Sequence, residues 1–276
     1  MSGKLYVVGT PIGNLGDFSP RAAETLREVD FIAAEDTRVT LKLLNHFGIK
    51  KPMVSYYEHN KAQKSDHILA RLMSGENCAL VTDAGMPAIS DPGIDLVALC
   101  HEHGVEVVSV PGPSAIITAA AISGMDVSRF TFEGFLSMNK PKRREHLTEI
   151  VDEKRTMIFY EAPHKLAATL RDLLEFLGDR KIALIKELTK IHENVELTTL
   201  AEAVQKYGDD KIKGEYVLII EGKKSAPHVF AEEDGIALAR RYLESGLSPS
   251  EAAKKAARES GFKKGDLYKA LTEDDA

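Results

Sequence analysis

The sequence predicts an α/β fold with two α/β domains followed by a small C-terminal helical domain. Three observations support this. Short, almost continuously apolar runs alternate with amphipathic segments as far as residue 222, a Pro/Gly-containing stretch near residues 113–125 interrupts the alternation, and no strand-like run follows residue 227. Apolar strands separated by helices are typical of sheets covered on both faces. We therefore expect domains at residues 1–113, 114–224 and 227–276.

Five apolar runs predict the strands of the first domain, at residues 4–8, 31–34, 53–57, 78–82 and 105–110. Capping residues mark the helices between them. Ser19 followed by Pro20 begins the first helix, and glycines end the later ones. Asp91 followed by Pro92 predicts the start of the helix after the fourth strand. This order indicates a parallel sheet.

The second domain repeats the pattern with four predicted strands, at residues 129–135, 156–162, 181–188 and 215–222, and helices near 163–177 and 199–207. The last domain reads as three capped helices within residues 233–246, 248–261 and 263–271. Ser248 with Pro249 begins the middle one, and Gly246 and Gly261 end the first two.

Composition limits the function. The 276 residues carry a net charge of −6, so contact with nucleic acid needs a local basic patch. Cys78 and Cys100 lie in apolar runs and read as core residues in a reducing compartment. We find no signal peptide and no apolar run long enough to span a bilayer, and expect a cytoplasmic protein. No Cys/His spacing suggests zinc, and no metal is expected.

Three turn motifs follow predicted strands, where open α/β sheets bind ligands. GTPIGNLGD (9–17) lacks both the dinucleotide spacing and the phosphate-binding lysine, so an ordinary turn explains it equally well. In VTDAGMPAISDPG (81–93), helix capping accounts for Asp91, and we expect Asp83 to contact a ligand. VPGPSA (110–115) is a rigid turn into a helix N-terminus at Ser114, which caps the helix or binds an anion.

Charged residues follow other strands. AAEDTRVT (33–40) ends a strand at a cleft or forms a solvated ion pair, and His59 follows the third strand, where a single histidine is more often structural. Four positive charges within residues 140–144 lie on a predicted loop. Residues 251–269 hold six Lys/Arg against three Asp/Glu. Either stretch is a solvated face or a phosphate-binding patch.

Together, VGTPIGNLGD, AEDTR, VTDAGMPAISDPG, VPGPSA, FYEAPHK and KELTK, in this order over residues 4–222, resemble the tetrapyrrole methylase superfamily. Within it they are most similar to the bacterial enzymes that methylate the 2′-oxygen of a cytidine in small-subunit ribosomal RNA. Thr82-Asp83-Ala84 stands where tetrapyrrole-modifying members usually have Gly-Asp-Pro, and GTPIGN replaces their Gly-x-Gly-Pro-Gly. Both departures favour an RNA substrate.

The resemblance implies S-adenosylmethionine in a cleft between the two α/β domains. The implied cofactor contacts are Pro11, Asp83, Gly85, Met86, Ser114, Ala115 and Ala162. Glu35, Asp36, Arg38 and His59 are the candidates for catalysis, with Glu or His as base and Arg38 as a phosphate ligand. Lys140, Lys142, Arg143 and Arg144 are the candidates for RNA contact. A homodimer is expected, acting on ribosomal RNA or on the small ribosomal subunit.

Three alternatives stay open at this point. The first is a methyltransferase acting on a corrin or porphyrin precursor, which the basic stretch at residues 140–144 disfavours. The second is a non-catalytic RNA-binding module that uses the helical tail, which leaves the strand-end motifs unexplained. The third is a nucleotide hydrolase, disfavoured because GTPIGN has no phosphate-binding lysine.

Overall fold

The computed structural model describes residues 2–208, 212–224 and 232–273. The chain divides into two compact units, Met1–Lys223 and Lys224–Ala276. Both sheets belong to the first unit. The boundary between residues 113 and 114 stays a prediction, and the predicted start of the tail at residue 227 lies outside the described residues.

The first sheet is parallel throughout, with strand order β3-β2-β4-β1-β5. Its strands are β1 (Lys4–Val8), β2 (Phe31–Ala34), β3 (Met53–Ser55), β4 (Cys78–Val81) and β5 (Glu106–Val110). The helices between and after them are α1 (Pro20–Glu28), α2 (Thr37–His46), α3 (Lys61–Met73), α4 (Ile94–Glu102) and α5 (Ala115–Ile122), with a 3-10 turn at Leu15–Asp17.

Both faces of this sheet are covered, as the apolar strands predict. In β2, Phe31 and Ala33 belong to one core cluster with Leu5 of β1, while Ile32 and Ala34 belong to another. All four β2 side chains are buried. Because successive side chains of a strand point to opposite faces, two helical layers must cover the sheet. The structure thus confirms the predicted α/β class.

The second sheet has strand order β6-β7-β10-β8-β9 and is mostly antiparallel. Its strands are β6 (Phe130–Gly134), β7 (Thr156–Glu161), β8 (Lys181–Lys186), β9 (Asn194–Thr199) and β10 (Tyr216–Ile220). Its helices are α6 (Lys140–Glu149), α7 (Leu166–Leu177) and α8 (Leu200–Tyr207).

The predicted repetition of the parallel pattern is therefore wrong beyond the β6–β7 pair. Strands β8 and β9 are joined through residues 187–193, which is too short for the crossover that a parallel pair needs. Strand β9 was not predicted. Its residues, NVELTT, are mostly polar and only partly buried, so they lack the apolar run that identifies the other strands.

Two local predictions also fail. The helix after β4 begins at Ile94, and Gly93 (φ +149°), not Asp91, occupies its N-cap. Gly93 lies where a Cβ atom would come within 2.9 Å of Ala88 and Leu80, so this close turn extends past Pro92. The basic cluster lies on helix α6 and not on a loop, because Asn139 caps the helix through the Lys142 N–H.

The tail forms the three predicted helices, α9 (Glu232–Glu244), α10 (Pro249–Ser260) and α11 (Lys264–Glu273). Ser248 and Glu251 form a reciprocal capping box at α10, and Gly261 ends that helix in the left-handed conformation. A small core of alanines and leucines holds the three helices together. Among the described residues, no helix has the length and apolarity to cross a membrane.

Candidate functional site

A cavity of about 500 Å³ opens in the first unit between the two sheets. One wall is formed by loops that follow β1, β2, β4 and β5, which run parallel and therefore end at the same edge of the first sheet. The other wall comes from β7, β8 and β10 and from the residues that follow β7. The three strand-end motifs of the first domain thus converge here.

Backbone contacts join the loop after β1 to the loop after β4. Thr10 and Gly85 exchange two backbone hydrogen bonds, of 2.9 and 3.1 Å. The buried Thr10 hydroxyl also donates to the Thr82 carbonyl at 3.1 Å. Gly85 adopts φ +87°, which L side chains rarely adopt, and lines the cavity. These contacts fix the floor of the site without any ligand.

The loop after β5 is held against the same structure by two glycines. A Cβ atom on Gly9 would lie 2.7 Å from the Gly112 Cα, and one on Gly112 would lie 2.8 Å from the Gly9 backbone. Both positions therefore need glycine so that one loop can approach the other. Packing between loops, and not direct ligand contact, explains these two glycines of the motifs.

Carboxylates form one side of the cavity. Glu35 Oε2 accepts hydrogen bonds from the Thr82 hydroxyl at 2.5 Å and from the Asp83 N–H at 3.3 Å. The Asp83 carboxylate in turn accepts from the Asp36 N–H at 3.2 Å. Both Glu35 bonds go to Oε2, which leaves Oε1 for a ligand.

Asp91 completes this acidic group. Burial raises the pKa of Asp91, and the nearby Glu35 carboxylate raises it further. Burial also raises the pKa of Asp83, with repulsion from Glu35 as the second cause. Among the described residues that line the cavity, none is a lysine or arginine. Repelling carboxylates without a cation suit a positively charged ligand.

Ser114 and Ala115 begin helix α5 after β5, and both line the cavity. Ser114 occupies the N-cap but makes no capping hydrogen bond through its side chain, so its hydroxyl is available to a ligand. Ile12, Met86 and Ile116 add apolar surface beside these residues. Apolar and acidic regions side by side match a ligand with a flat ring system and a cationic tail.

Six of the seven expected cofactor residues line the cavity: Asp83, Gly85, Met86, Ser114, Ala115 and Ala162. The seventh, Pro11, is not among the lining residues that the structure describes, although its neighbour Ile12 is. S-adenosylmethionine carries a sulfonium and an ammonium group beside an adenine ring. The acidic group, with Asp83 and Asp91, and the apolar surface fit those features, and these residues would hold it.

Of the four catalytic candidates, only Glu35 is among the cavity-lining residues that the structure describes. Asp36 caps helix α2 and forms a salt bridge with Arg38, whose side chain is 87% exposed. The guanidinium of Arg38 lowers the pKa of Asp36 to about 2. His59 is exposed and lies beside the Tyr57 ring, 6.2 Å between centroids. The structure does not bring these three into the cavity.

The four candidates for RNA contact all lie on helix α6 but differ in their exposure to solvent. Lys140, Lys142 and Arg144 are exposed. Arg143 is turned inward, with its side chain 14% exposed and paired to Asp172. It therefore belongs to the interior of the second α/β region and not to its basic surface.

Sequence reasoning missed several lining residues, among them Thr82, Asp91, Tyr160, Glu161 and His164. Asp91 was assigned to a cap because Asp-Pro is a common helix start. Glu161 and His164 lie in the FYEAPHK stretch at the end of β7, where the position at a strand end was the available signal. Their proximity to the first sheet is a property of the folded unit.

Residues 4–204 match the model of the family Tetrapyrrole (Corrin/Porphyrin) Methylases. Ribosomal RNA small subunit methyltransferase I of Synechocystis sp. is 47% identical over 96% of both chains. The protein of the same name from Escherichia coli O157:H7 is 46% identical over 97% of this chain and 94% of its own. The chain belongs to this methyltransferase family.

The family assignment confirms the resemblance and the expected methyltransferase class. A third relative of that name, from Thermotoga maritima, is 48% identical over 100% of its own length but 80% of this chain. The solved structures agree on the fold. Cobalt precorrin-4 methyltransferase has a TM-score of 0.60 at 17% identity, covering 79% of this chain and 94% of that one. Uroporphyrin-III C-methyltransferase from Thermus thermophilus, complexed with S-adenyl homocysteine, has a TM-score of 0.58 at 16% identity, covering 79% of this chain and 97% of that one.

Proposed function

We propose that this protein transfers the methyl group of S-adenosylmethionine to the ribose 2′-oxygen of a cytidine in small-subunit ribosomal RNA. The observation that carries the proposal is the acidic cavity at the converging strand ends, whose described lining residues include no lysine or arginine, in a chain that belongs to this methyltransferase family. When bound, S-adenosylmethionine supplies an electrophilic methyl group. The residues around it must align that group with the RNA and exclude water.

The tetrapyrrole alternative is not favoured. The relatives that match at 46–48% identity are ribosomal RNA methyltransferases, whereas the two tetrapyrrole enzymes named above share 16–17% with this chain. Methyl transfer from labelled S-adenosylmethionine tests the choice. We expect label at one ribose of small-subunit RNA, supplied naked or in the assembled subunit. Incorporation into a tetrapyrrole but not into RNA would contradict the proposal.

We assign proton removal to Glu35, since a ribose hydroxyl is a weak nucleophile and benefits from a general base. The Thr82 hydroxyl and the Asp83 N–H hold the Glu35 carboxylate in place. The free Oε1 of Glu35 takes the proton of the 2′-hydroxyl while the ribose 2′-oxygen accepts the methyl group. Asp83 and Asp91 supply the negative charge beside the cationic donor.

Asp83→Asn is expected to lower the affinity for S-adenosylmethionine about tenfold, because a charge-assisted contact is replaced by a neutral one. The same change should raise the melting temperature of the ligand-free protein at pH 7, by roughly 1–3 °C. A raised carboxyl pKa means that the ionised form destabilises the folded state above that pKa. The gain should therefore disappear as the pH falls through the raised pKa towards the ordinary value of about 4.

Asp66→Asn is the matched control, because Asp66 is exposed on helix α3 and the substitution changes the net charge equally. Calorimetric titration and thermal melts between pH 4 and pH 8 measure both effects. An unchanged dissociation constant in Asp83→Asn would remove Asp83 from the binding site.

The exposed cations of α6 are proposed to contact RNA phosphates. Lys142→Ala and Arg144→Ala should each weaken RNA binding severalfold and reduce the slope of log affinity against log salt by about one. Lys50→Ala removes an exposed lysine from the first α/β region and serves as the control. If both α6 variants keep the wild-type salt dependence, RNA does not contact this helix. The helical tail then becomes the next surface to test.

A homodimer acting in the cytoplasm is proposed along with the activity. Apolar side chains at and before the edge strand β9 support the dimer: Ile191 is 99% exposed and Leu197 is 62% exposed. Exposed apolar groups at a sheet edge commonly mark an interface. Light scattering during size-exclusion chromatography measures the mass directly, and a monomer at micromolar concentration would contradict the proposal.

A further inference from the structure

A polar network, partly buried at one end and fully buried at the other, leads from the basic helix to the cavity. Its first member, Arg143 of α6, donates from Nε to Asp172 Oδ2 at 2.6 Å and from a terminal nitrogen to the Thr169 hydroxyl oxygen at 2.9 Å. Asp172 and Thr169 both lie on helix α7. The guanidinium therefore ties α6 to α7.

The network continues into the cavity wall. The Thr169 hydroxyl, in a residue 1% exposed, donates to Glu161 Oε2 at 2.5 Å. The other carboxylate oxygen of Glu161 accepts the N–H of Ala162 at 2.8 Å. Glu161 is 3% exposed and ends β7, and both it and Ala162 line the cavity. Each oxygen of this buried carboxylate is thus assigned to one protein donor.

We propose that Arg143, Thr169 and Glu161 are positioning residues that fix the Ala162 backbone against the methyl donor. This rests on the proposed function, in which the cavity binds S-adenosylmethionine. The Arg143 guanidinium orients the Thr169 oxygen, which leaves the hydroxyl proton to point at Glu161. Glu161 then accepts the Ala162 N–H, which fixes the plane of the Glu161–Ala162 peptide in the cavity wall. Binding against a peptide that is already fixed costs less conformational entropy than binding against one that the ligand must first order.

Charge accounts for the choice of a carboxylate at this position. Asp172 already balances Arg143, so Glu161 brings an additional negative charge into the interior. A buried carboxylate is unfavourable unless it is hydrogen-bonded or faces a cation. The two donors satisfy its hydrogen bonds, and a cationic ligand in the cavity supplies the favourable electrostatic contact. A network that only stabilised the fold would not need this charge beside the cavity.

Thr169→Val tests the network, because it keeps the shape of the side chain and removes the hydroxyl. We expect the dissociation constant of S-adenosylmethionine, measured by calorimetric titration of the full chain, to rise about fivefold to tenfold. Thr169→Ser keeps the hydroxyl and should restore affinity close to that of the wild type. Arg143→Lys should raise the dissociation constant, whereas Arg171→Lys, at an exposed position of helix α7, should leave it unchanged.

Thr156→Val separates positioning from general stability. Thr156 is also buried, at the other end of β7, and its hydroxyl donates to the Asp126 carbonyl at 2.6 Å. It should lower the melting temperature without changing donor affinity. If Thr169→Val loses stability like Thr156→Val but binds the donor like the wild type, the network is structural and the inference is overturned.

The proposed site has its own test in the same series. Ala115→Phe fills the cavity and should abolish donor binding. If donor binding survives Ala115→Phe, the donor binds elsewhere and the proposed function of the cavity fails together with the inference. If Ala115→Phe abolishes binding while Thr169→Val does not weaken it, the positioning inference alone fails.

Discussion

Glu35→Gln is expected to lower the turnover number for RNA methylation by at least about 100-fold, because the variant has no carboxylate to accept the hydroxyl proton. The amide oxygen can still accept the hydrogen bonds from Thr82 and the Asp83 N–H, so the loop keeps its geometry. The affinity for S-adenosylmethionine should therefore change only by the amount expected from the loss of one nearby negative charge. Single-turnover methylation at saturating donor measures the chemical step.

The control for this prediction is Glu24→Gln, which makes the same substitution at an exposed position of helix α1. It should have wild-type turnover. Near-normal turnover in Glu35→Gln would exclude Glu35 as the base. Asp91 is then the next carboxylate to substitute, since it also lines the cavity and burial raises its pKa.

Gly112→Ala is expected to have the second large effect. The new methyl carbon would lie 2.8 Å from the Gly9 backbone, which cannot move aside as a flexible side chain could. The loops after β1 and β5 must separate, which costs about 1–3 kcal/mol of folding free energy. Because these loops form one wall of the cavity, donor affinity should fall more than tenfold, measured by calorimetry on protein shown to be folded.

Gly16→Ala provides the matched comparison within the first motif. Its new Cβ would meet the Asn14 side-chain oxygen at 3.2 Å, and that group can move. We expect near-wild-type stability and affinity for this variant. Equal behaviour of the Gly16→Ala and Gly112→Ala variants would contradict the close loop contact.

The predictable part of the fold depends on local rules. The apolar runs of β1, β2 and β4 and the caps at Ser19 and Ser248 follow from apolar patterning and hydrogen bonding between neighbours in sequence. The dependence on local rules also explains why strand β9 and the start of α4 were not predicted. A polar edge strand and a turn that continues past Pro92 are stabilised by contacts with distant residues, and these leave no mark in the local pattern.

The site divides in the same way. The motifs at residues 9–17, 81–93 and 110–115 follow strands, and parallel strands bring their ends to one edge, so their convergence is predictable. Helix α6 is almost entirely polar, so its residue pattern does not show which of its charged side chains faces the interior. Arg143 and Arg144 are neighbours in sequence, yet one pairs with Asp172 and the other is exposed.

By itself, the sequence determined the α/β class, the family and the edge of the first sheet at which the site lies. The tertiary structure alone decided which charged residues line the cavity. In the folded protein, Glu35 accepts hydrogen bonds from Thr82 and Asp83, and Asp91 lines the cavity instead of capping a helix. Hydrogen bonds through Thr169 and Glu161 connect Arg143 to Ala162. The physical reason is that these contacts form between side chains from different elements, whose relative directions are fixed only when both sheets have packed.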